Sequence, residues 1–136
     1  MSAPFDPNAR RVLVPVTVRG PRATHRFGFA LDTGASRTTL RPELLRLLGF
    51  DLANPVAVRD FRGVTGGGRA PSFVAEAVTA LGVTLTRFEI HAVSPSASVT
   101  IDGLLGLDFL RGRVLTLDFA RGRMALRRPR WWAFWR

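Results

Sequence analysis

The sequence predicts one all-β domain with one or two short helices, folded as a barrel or a sandwich. Apolar and polar residues alternate along several strand-length segments, turn residues separate these segments, and only one stretch carries helix signals. The chain has 136 residues, of which 46% are hydrophobic and 22% charged. This is the length and composition of a single folded domain with one core.

The first predicted element is a β-hairpin. Residues 11–19 place a valine at every second position, so the valines share one face of a strand. Pro15 lacks a backbone donor and predicts a sheet edge or a bulge at that point. After the turn residues Gly20 and Pro21, residues 24–31 form the second strand, with His25, Phe27, Phe29 and Leu31 on one side.

A helix of about two turns is predicted next. Pro42 stands at its first position, Glu43 lies in its first turn, and Gly49 follows its end. Leu40 and Leu45 have the spacing of a hydrophobic staple, in which a residue before the helix packs on its first turns.

The rest of the chain reads as strands. We predict strands over residues 56–62, 70–80 and 83–93, with a glycine-rich break over residues 63–68 and a turn at Leu81 and Gly82. Residues 99–110 end in a segment too apolar for the surface, and residues 114–119 and 123–126 form the last pair of strands.

The composition excludes several kinds of chemistry. The chain has no cysteine, which rules out disulfides, thiolate zinc sites and a cysteine nucleophile. Its two histidines, His25 and His91, are isolated, and we expect neither a metal nor a cofactor. All 20 basic residues are arginine, so a lysine phosphate loop and Schiff-base chemistry are also excluded.

Three landmarks follow one another along the chain. An apolar strand leads into Asp32-Thr33-Gly34-Ala35-Ser36, a glycine-rich segment covers residues 63–68, and Leu104-Leu105-Gly106 runs into Leu107-Asp108-Phe109-Leu110. An isolated Asp-Thr-Gly is more often a structural turn, but the ordered set on a strand-rich background reverses that preference. In these landmarks, which span about residues 11–126, the chain resembles the retropepsin-like aspartic proteases.

The resemblance implies a closed barrel that works as a homodimer on peptide or protein substrates. It makes Asp32 the catalytic residue and assigns support of the catalytic loop to Thr33, Gly34, Ala35 and Ser36. It implies that Gly66, Gly67 and Gly68 form the tip of a flap over the substrate. It also implies that Leu104, Leu105 and Gly106 pack behind the catalytic loop in a supporting role.

Simple acid–base chemistry explains why one such motif needs a partner. Two neighbouring carboxylates can share a proton, so that one activates water while the other polarises the scissile carbonyl. The other candidate acids lack the motif: Asp102 has no following hydroxyl residue, Asp108 lies in a helix-like segment, and Asp118 lies in a strand. We therefore predict an endopeptidase in which the two Asp32 carboxylates of a C2 dimer meet.

The sequence departs from the retroviral members of the family at two positions. Those proteases have an aspartate where this chain has Ser36 and an arginine where it has Leu107, an internal ion pair that supports the dimer. Because both partners are missing together, the resemblance is to the cellular or bacterial branch. The retroviral dimer interface is not carried over.

The positive charge is concentrated at the C-terminal end. Residues 1–120 carry 14 Arg against 10 acids, and residues 121–136 carry 6 Arg and no acid. We divide the chain into an N-terminal extension (1–10), the protease domain (11–126) and a basic aromatic tail (127–136). The tail contains Trp131, Trp132, Phe134 and Trp135.

The sequence of this tail is compatible with several partners. It contacts an anionic membrane surface, folds back on the barrel, caps the dimer or is disordered, and we do not expect nucleic acid as a partner. Without a signal peptide or a membrane span, we expect a cytoplasmic protein. The alternative to an enzyme is a non-catalytic binding or dimerisation module of the same fold, with the tail contacting membrane or nucleic acid.

Overall fold

A computed structural model describes residues 1–63, 66–96 and 99–130. The aromatic residues of the predicted tail lie outside this part of the chain. The described residues form ten strands: β1 (Ser2–Pro4), β2 (Leu13–Arg19), β3 (Thr24–Leu31), β4 (Thr39–Leu40), β5 (Ala57–Gly63), β6 (Gly66–Ala80), β7 (Val83–Ala92), β8 (Gly103–Leu105), β9 (Val114–Asp118) and β10 (Arg123–Arg127). They also form two short helices, α1 (Pro42–Leu47) and α2 (Leu107–Leu110).

Six strands close into a barrel. The order is β2-β3-β8-β4-β7-β6, and β6 pairs with β2 to complete the ring, while β5 extends from β6 alone. The predicted all-β architecture with one or two short helices is confirmed. Of the two predicted arrangements, barrel and sandwich, the structure has the barrel. Closure satisfies the backbone groups of the ring without leaving sheet edges.

A second sheet packs beside the barrel in the order β1-β10-β9. Its β1 strand comes from the first residues of the chain, with Ser2 opposite Ala125 and Pro4 opposite Arg123. The two ends of the described chain therefore meet in one sheet.

The core of the barrel comes from the alternating faces that the sequence predicted. Val14, Val16 and Val18 of β2 are fully buried, as is Phe29 of β3. The predicted inner face of β3 begins only at Phe27, because His25, near the start of the strand, is exposed.

Helix α1 is confirmed at its predicted start. Pro42 opens it and Glu43 lies in its first turn. Leu40 and Leu45 are both fully buried, as expected of a hydrophobic staple. Gly49, just after the helix, has a φ of +97°, which residues with a side chain rarely adopt. A Cβ there would also come within 2.7 Å of the Arg22 Cβ, so glycine is required at this position.

The glycine-rich segment is less of a break than predicted. Strand β5 runs to Gly63 and β6 begins at Gly66, with these two residues paired. The glycines 66–68 therefore belong to the second strand of a long antiparallel hairpin. Pro15 lies outside the part of β2 that pairs with β6, which begins at Val16, so it has a neighbouring strand only on the β3 side.

Candidate active site

Asp32 lies directly after β3, where the strand leaves the barrel. Its backbone N–H donates to the Leu105 carbonyl at 3.0 Å, which extends the pairing of β3 with β8 by one bond. Its Oδ1 accepts a hydrogen bond from the Gly34 N–H at 2.8 Å, and the residue is half-buried. The carboxylate is thus fixed at one oxygen and remains accessible to solvent.

The loop after Asp32 turns tightly back onto the barrel. The Ala35 N–H donates to the Asp32 carbonyl at 3.2 Å, and the Ala35 carbonyl accepts from Leu107 N–H at 2.9 Å. Ala35 is buried and Ser36 half-buried, whereas Thr33 and Gly34 are exposed. The exposed pair faces outward beside the carboxylate.

The apolar segment of β8 lies behind this loop. Leu105 and Gly106 are buried, and Leu104 is half-buried. A Cβ on Gly106 would come within 2.7 Å of the Arg37 carbonyl carbon and 2.9 Å of the Ala35 oxygen, so any side chain there would displace the loop. This segment therefore packs directly against the loop that follows Asp32.

Thr38 and Asp108 form a connection that the sequence reasoning missed. Asp108 accepts from the Thr38 N–H at 2.9 Å and from its hydroxyl at 2.6 Å. The same hydroxyl oxygen accepts from the Gly106 N–H at 3.1 Å. Because Thr38 is fully buried, these bonds tie the end of the loop that follows Asp32 to α2 inside the protein. A hydroxyl and a carboxylate 70 residues apart give no local sequence signal.

A buried histidine lies behind the same connection. The backbone N–H of His91 donates to the Thr38 carbonyl at 3.1 Å, and the ring Nε2 of His91 is 3.6 Å from the Glu89 carboxylate. The imidazole is fully buried, and neither ring nitrogen has a hydrogen-bond partner among the described residues. Burial lowers the pKa of His91, with the nearby Arg37 acting in the same direction and Glu89 opposing it.

Glu89 also holds the base of the hairpin formed by β5 and β6. Arg59 on β5 donates to its carboxylate at 2.5 Å. Burial raises the pKa of Glu89, but hydrogen bonds from Ser72 and Arg59 and the charge of Arg59 outweigh this, so the net pKa is lowered. Glu89 is therefore held in its charged form between the hairpin and the barrel.

A groove of about 410 Å³ separates the loop that follows Asp32 from the hairpin. It is lined by Ser36 and Arg37 of the loop, Asp60 and Phe61 of β5, and Asp108 and Arg111 at α2. Gly67 and Gly68 are exposed further along the hairpin, next to a second groove of similar size. The loop that follows Asp32 and the predicted flap glycines thus line separate grooves, and Asp60 and Phe61 of β5 take part in both.

The other acids considered in the sequence have local partners. Asp102 accepts from the Gly28 N–H at 2.8 Å, and Asp118 from the Arg121 N–H at 2.9 Å. No cluster of three or more potential metal-binding side chains occurs in the described ranges. None of the helices described there is long and apolar enough to cross a membrane.

Comparisons with known proteins agree with this geometry. The chain is similar in structure to a retropepsin-like aspartic protease from Rickettsia conorii, with a TM-score of 0.67 and 22% sequence identity. The match covers 94% of this chain and 91% of that one, so the two share a fold over nearly their whole length. No curated protein matches the sequence significantly. Residues 14–109 match the family described as aspartyl protease, and since this is well over half of the chain, the protein belongs to the aspartyl protease family, with a retropepsin-like fold.

Proposed function

We propose that the protein is an aspartic endopeptidase that works as a homodimer, with Asp32 of each chain supplying one of two catalytic carboxylates. The position of Asp32 carries the proposal. It stands half-buried at the end of a barrel strand, fixed by Gly34, on a loop that borders a cleft closed on its other side by a hairpin. The chain has one Asp-Thr-Gly motif, so a second carboxylate must come from a second copy.

The proposed reaction is hydrolysis by an activated water. The ionised carboxylate takes a proton from water as the water oxygen attacks the scissile carbonyl carbon, and the protonated carboxylate gives its proton to the carbonyl oxygen. The carboxylate that took the water proton then gives it to the amide nitrogen, the other carboxylate takes a proton from a hydroxyl of the tetrahedral intermediate, and the C–N bond breaks to give a carboxylic acid and an amine. Each carboxylate is then back in its starting protonation state, so no cofactor is consumed.

The neighbouring residues have supporting roles in this proposal. The Gly34 N–H orients one carboxylate oxygen. Thr33 is exposed beside Asp32, where its hydroxyl is available to the second chain. The hairpin that includes Gly66, Gly67 and Gly68 closes over an extended peptide and excludes water from the reaction.

Peptide cleavage by Asp32→Asn protein tests the proposal. The asparagine keeps an oxygen for the Gly34 N–H but cannot accept the proton, so we expect kcat/KM to fall by about 10² to 10⁴-fold, the contribution of a positioned acid or base. The assay uses a peptide library between about pH 3 and 7, where a carboxylate pair is singly protonated. Circular dichroism and sedimentation should show an unchanged fold and assembly.

Asp51→Asn is the matched control. Asp51 Oδ1 accepts from the N–H two residues later, at Ala53, in the same pattern as Asp32 and Gly34. Because Asp51 is exposed and lines no part of the cleft, this variant should cleave like wild type. Cleavage that survives Asp32→Asn, or that both variants lose equally, would contradict the proposal.

A further inference from the structure

The groove between the catalytic loop and the hairpin has an unusual distribution of charge. Arg37 stands on the loop, five residues after Asp32, and Arg111 follows α2 on the same wall. Arg37 is half-buried and Arg111 exposed. Two arginines thus line a space of about 410 Å³ that is bordered by the loop following the proposed catalytic Asp32.

Neither guanidinium has an acidic partner within the described residues, which include every Asp and Glu of the chain. The two acids that line the groove are engaged elsewhere. Asp108 accepts two hydrogen bonds from Thr38, and Asp60 is paired with Arg69 at 3.4 Å. The groove therefore offers guanidinium donors that no ion pair among the described residues occupies.

We infer that this groove is a substrate subsite that selects an acidic side chain, with Arg37 and Arg111 as its specificity-determining residues. The inference rests on the proposed function, because the groove serves as a subsite only if a peptide lies in the cleft. Guanidinium groups present several N–H donors in a planar array that suits a carboxylate.

The wall opposite the arginines supports the same substrate. Phe61 on β5 is half-buried and gives the groove an apolar side, against which the methylene groups of a glutamate can pack. An extended peptide places every second side chain toward the same wall, so the preference should fall on one position of the substrate.

The test uses peptides that carry Glu, Gln or Arg at each position in turn, assayed at about pH 6 so that the glutamate is ionised. At one position, wild type should prefer Glu to Gln by about tenfold in kcat/KM, as expected for one charge-assisted hydrogen bond in a half-exposed groove. The preference should weaken as salt is raised. Arg37→Glu and Arg111→Glu should each shift the preference at that position toward Arg.

Arg46→Glu is the matched control. Arg46 is exposed in the last turn of α1 and does not line the groove, so the same change in net charge should leave the preference as in wild type. A Glu preference that Arg46→Glu alters as much as Arg37→Glu does would show a general effect of charge and would overturn the inference.

Binding of the same peptides to Asp32→Asn protein separates this inference from the proposed function. Fluorescence anisotropy should show the same Glu preference and its loss in the Arg37→Glu background. Cleavage without the preference overturns the subsite and leaves the protease standing. Binding with the preference but no cleavage by wild type supports the subsite and contradicts the protease, and the absence of selective binding overturns the subsite.

Discussion

At the scale of single residues, the site depends on how tightly the loop after Asp32 is held. Backbone bonds fix its beginning, and Thr38 fixes its end through Asp108 and Gly106. In retroviral proteases an ion pair occupies the positions that are Ser36 and Leu107 here. In this chain Thr38, two residues after Ser36, and Asp108, one residue after Leu107, are joined by hydrogen bonds.

Thr38→Val tests that connection. Valine keeps the shape of the side chain but leaves the Gly106 N–H and one Asp108 oxygen without their partner, in a buried position. We expect the free energy of unfolding to fall by about 1 to 3 kcal/mol, measured by urea denaturation, and kcat/KM to fall because Asp32 is held less firmly.

Thr84→Val gives the comparison for this substitution. The Thr84 hydroxyl bonds to Thr79 at an exposed position, so its loss should cost less than about 0.5 kcal/mol. Equal effects of the two substitutions would contradict the role assigned to Thr38.

His91 predicts that the protein loses stability in mild acid. Burial lowers its pKa in the folded state, so below the ordinary value of 6.5 the unfolded chain binds a proton that the folded chain does not. The free energy of unfolding should therefore fall as pH drops from 6.5 toward 5, by up to about 1.4 kcal/mol per pH unit. Glu89, whose pKa is also lowered, adds a further loss around and below 4.5.

Urea denaturation at a series of pH values measures this slope. His91→Leu keeps a similar side-chain volume and removes the titrating group, so the slope between pH 6.5 and about 5 should flatten even if the variant is less stable overall. His25→Gln, at the exposed histidine, should keep the wild-type slope. A slope that His91→Leu leaves unchanged would exclude His91 as its source.

At the scale of elements, the hairpin of β5 and β6 is the part of the fold that the proposed mechanism needs to move. Within the part of the chain that the structure describes, β5 pairs with β6 alone, so the hairpin extends beyond the barrel. The ion pair between Arg59 and Glu89 joins β5 to β7 at the hairpin base. Under the proposed function, this contact would set the position from which the hairpin closes over a substrate.

Arg59→Gln should therefore impair catalysis more than stability. Exposed ion pairs contribute less than about 1 kcal/mol to the free energy of unfolding. If closure of the hairpin becomes less favourable by that amount, kcat/KM should fall about fivefold. Thermal unfolding should change little.

Arg19→Gln is the control for the hairpin, because Arg19 forms a similar cross-strand pair with Glu76 at 3.0 Å on the barrel wall. It should leave kcat/KM unchanged. Equal activity of Arg59→Gln and wild type would show that this ion pair does not position the hairpin.

The elements also show what the sequence can predict. The sequence predicts strands β2, β3, β6 and β7, because alternating apolar residues and flanking turn residues are local signals. Strands β4 and β8 have two and three residues, and their pairing with each other and with β3 closes the barrel between distant parts of the chain. Such pairings leave no periodic pattern, so barrel closure was predicted from the family resemblance and not from alternation, and the contact between Thr38 and Asp108 became visible only in the structure.

At the scale of the whole molecule, the account depends on a second copy of the chain. Each chain provides a complete fold but one Asp-Thr-Gly motif. If the catalytic pair forms between chains, activity belongs to the dimer and must depend on the composition of that dimer.

Activity of mixed dimers tests this claim most directly. Wild-type and Asp32→Asn chains are mixed in varying ratios at fixed total concentration, allowed to exchange subunits, and assayed on one peptide. A shared site predicts that activity follows the square of the wild-type fraction, so equal amounts give about one quarter of full activity. A linear fall, with about one half remaining, would mean that each chain carries a complete active site and would contradict the account.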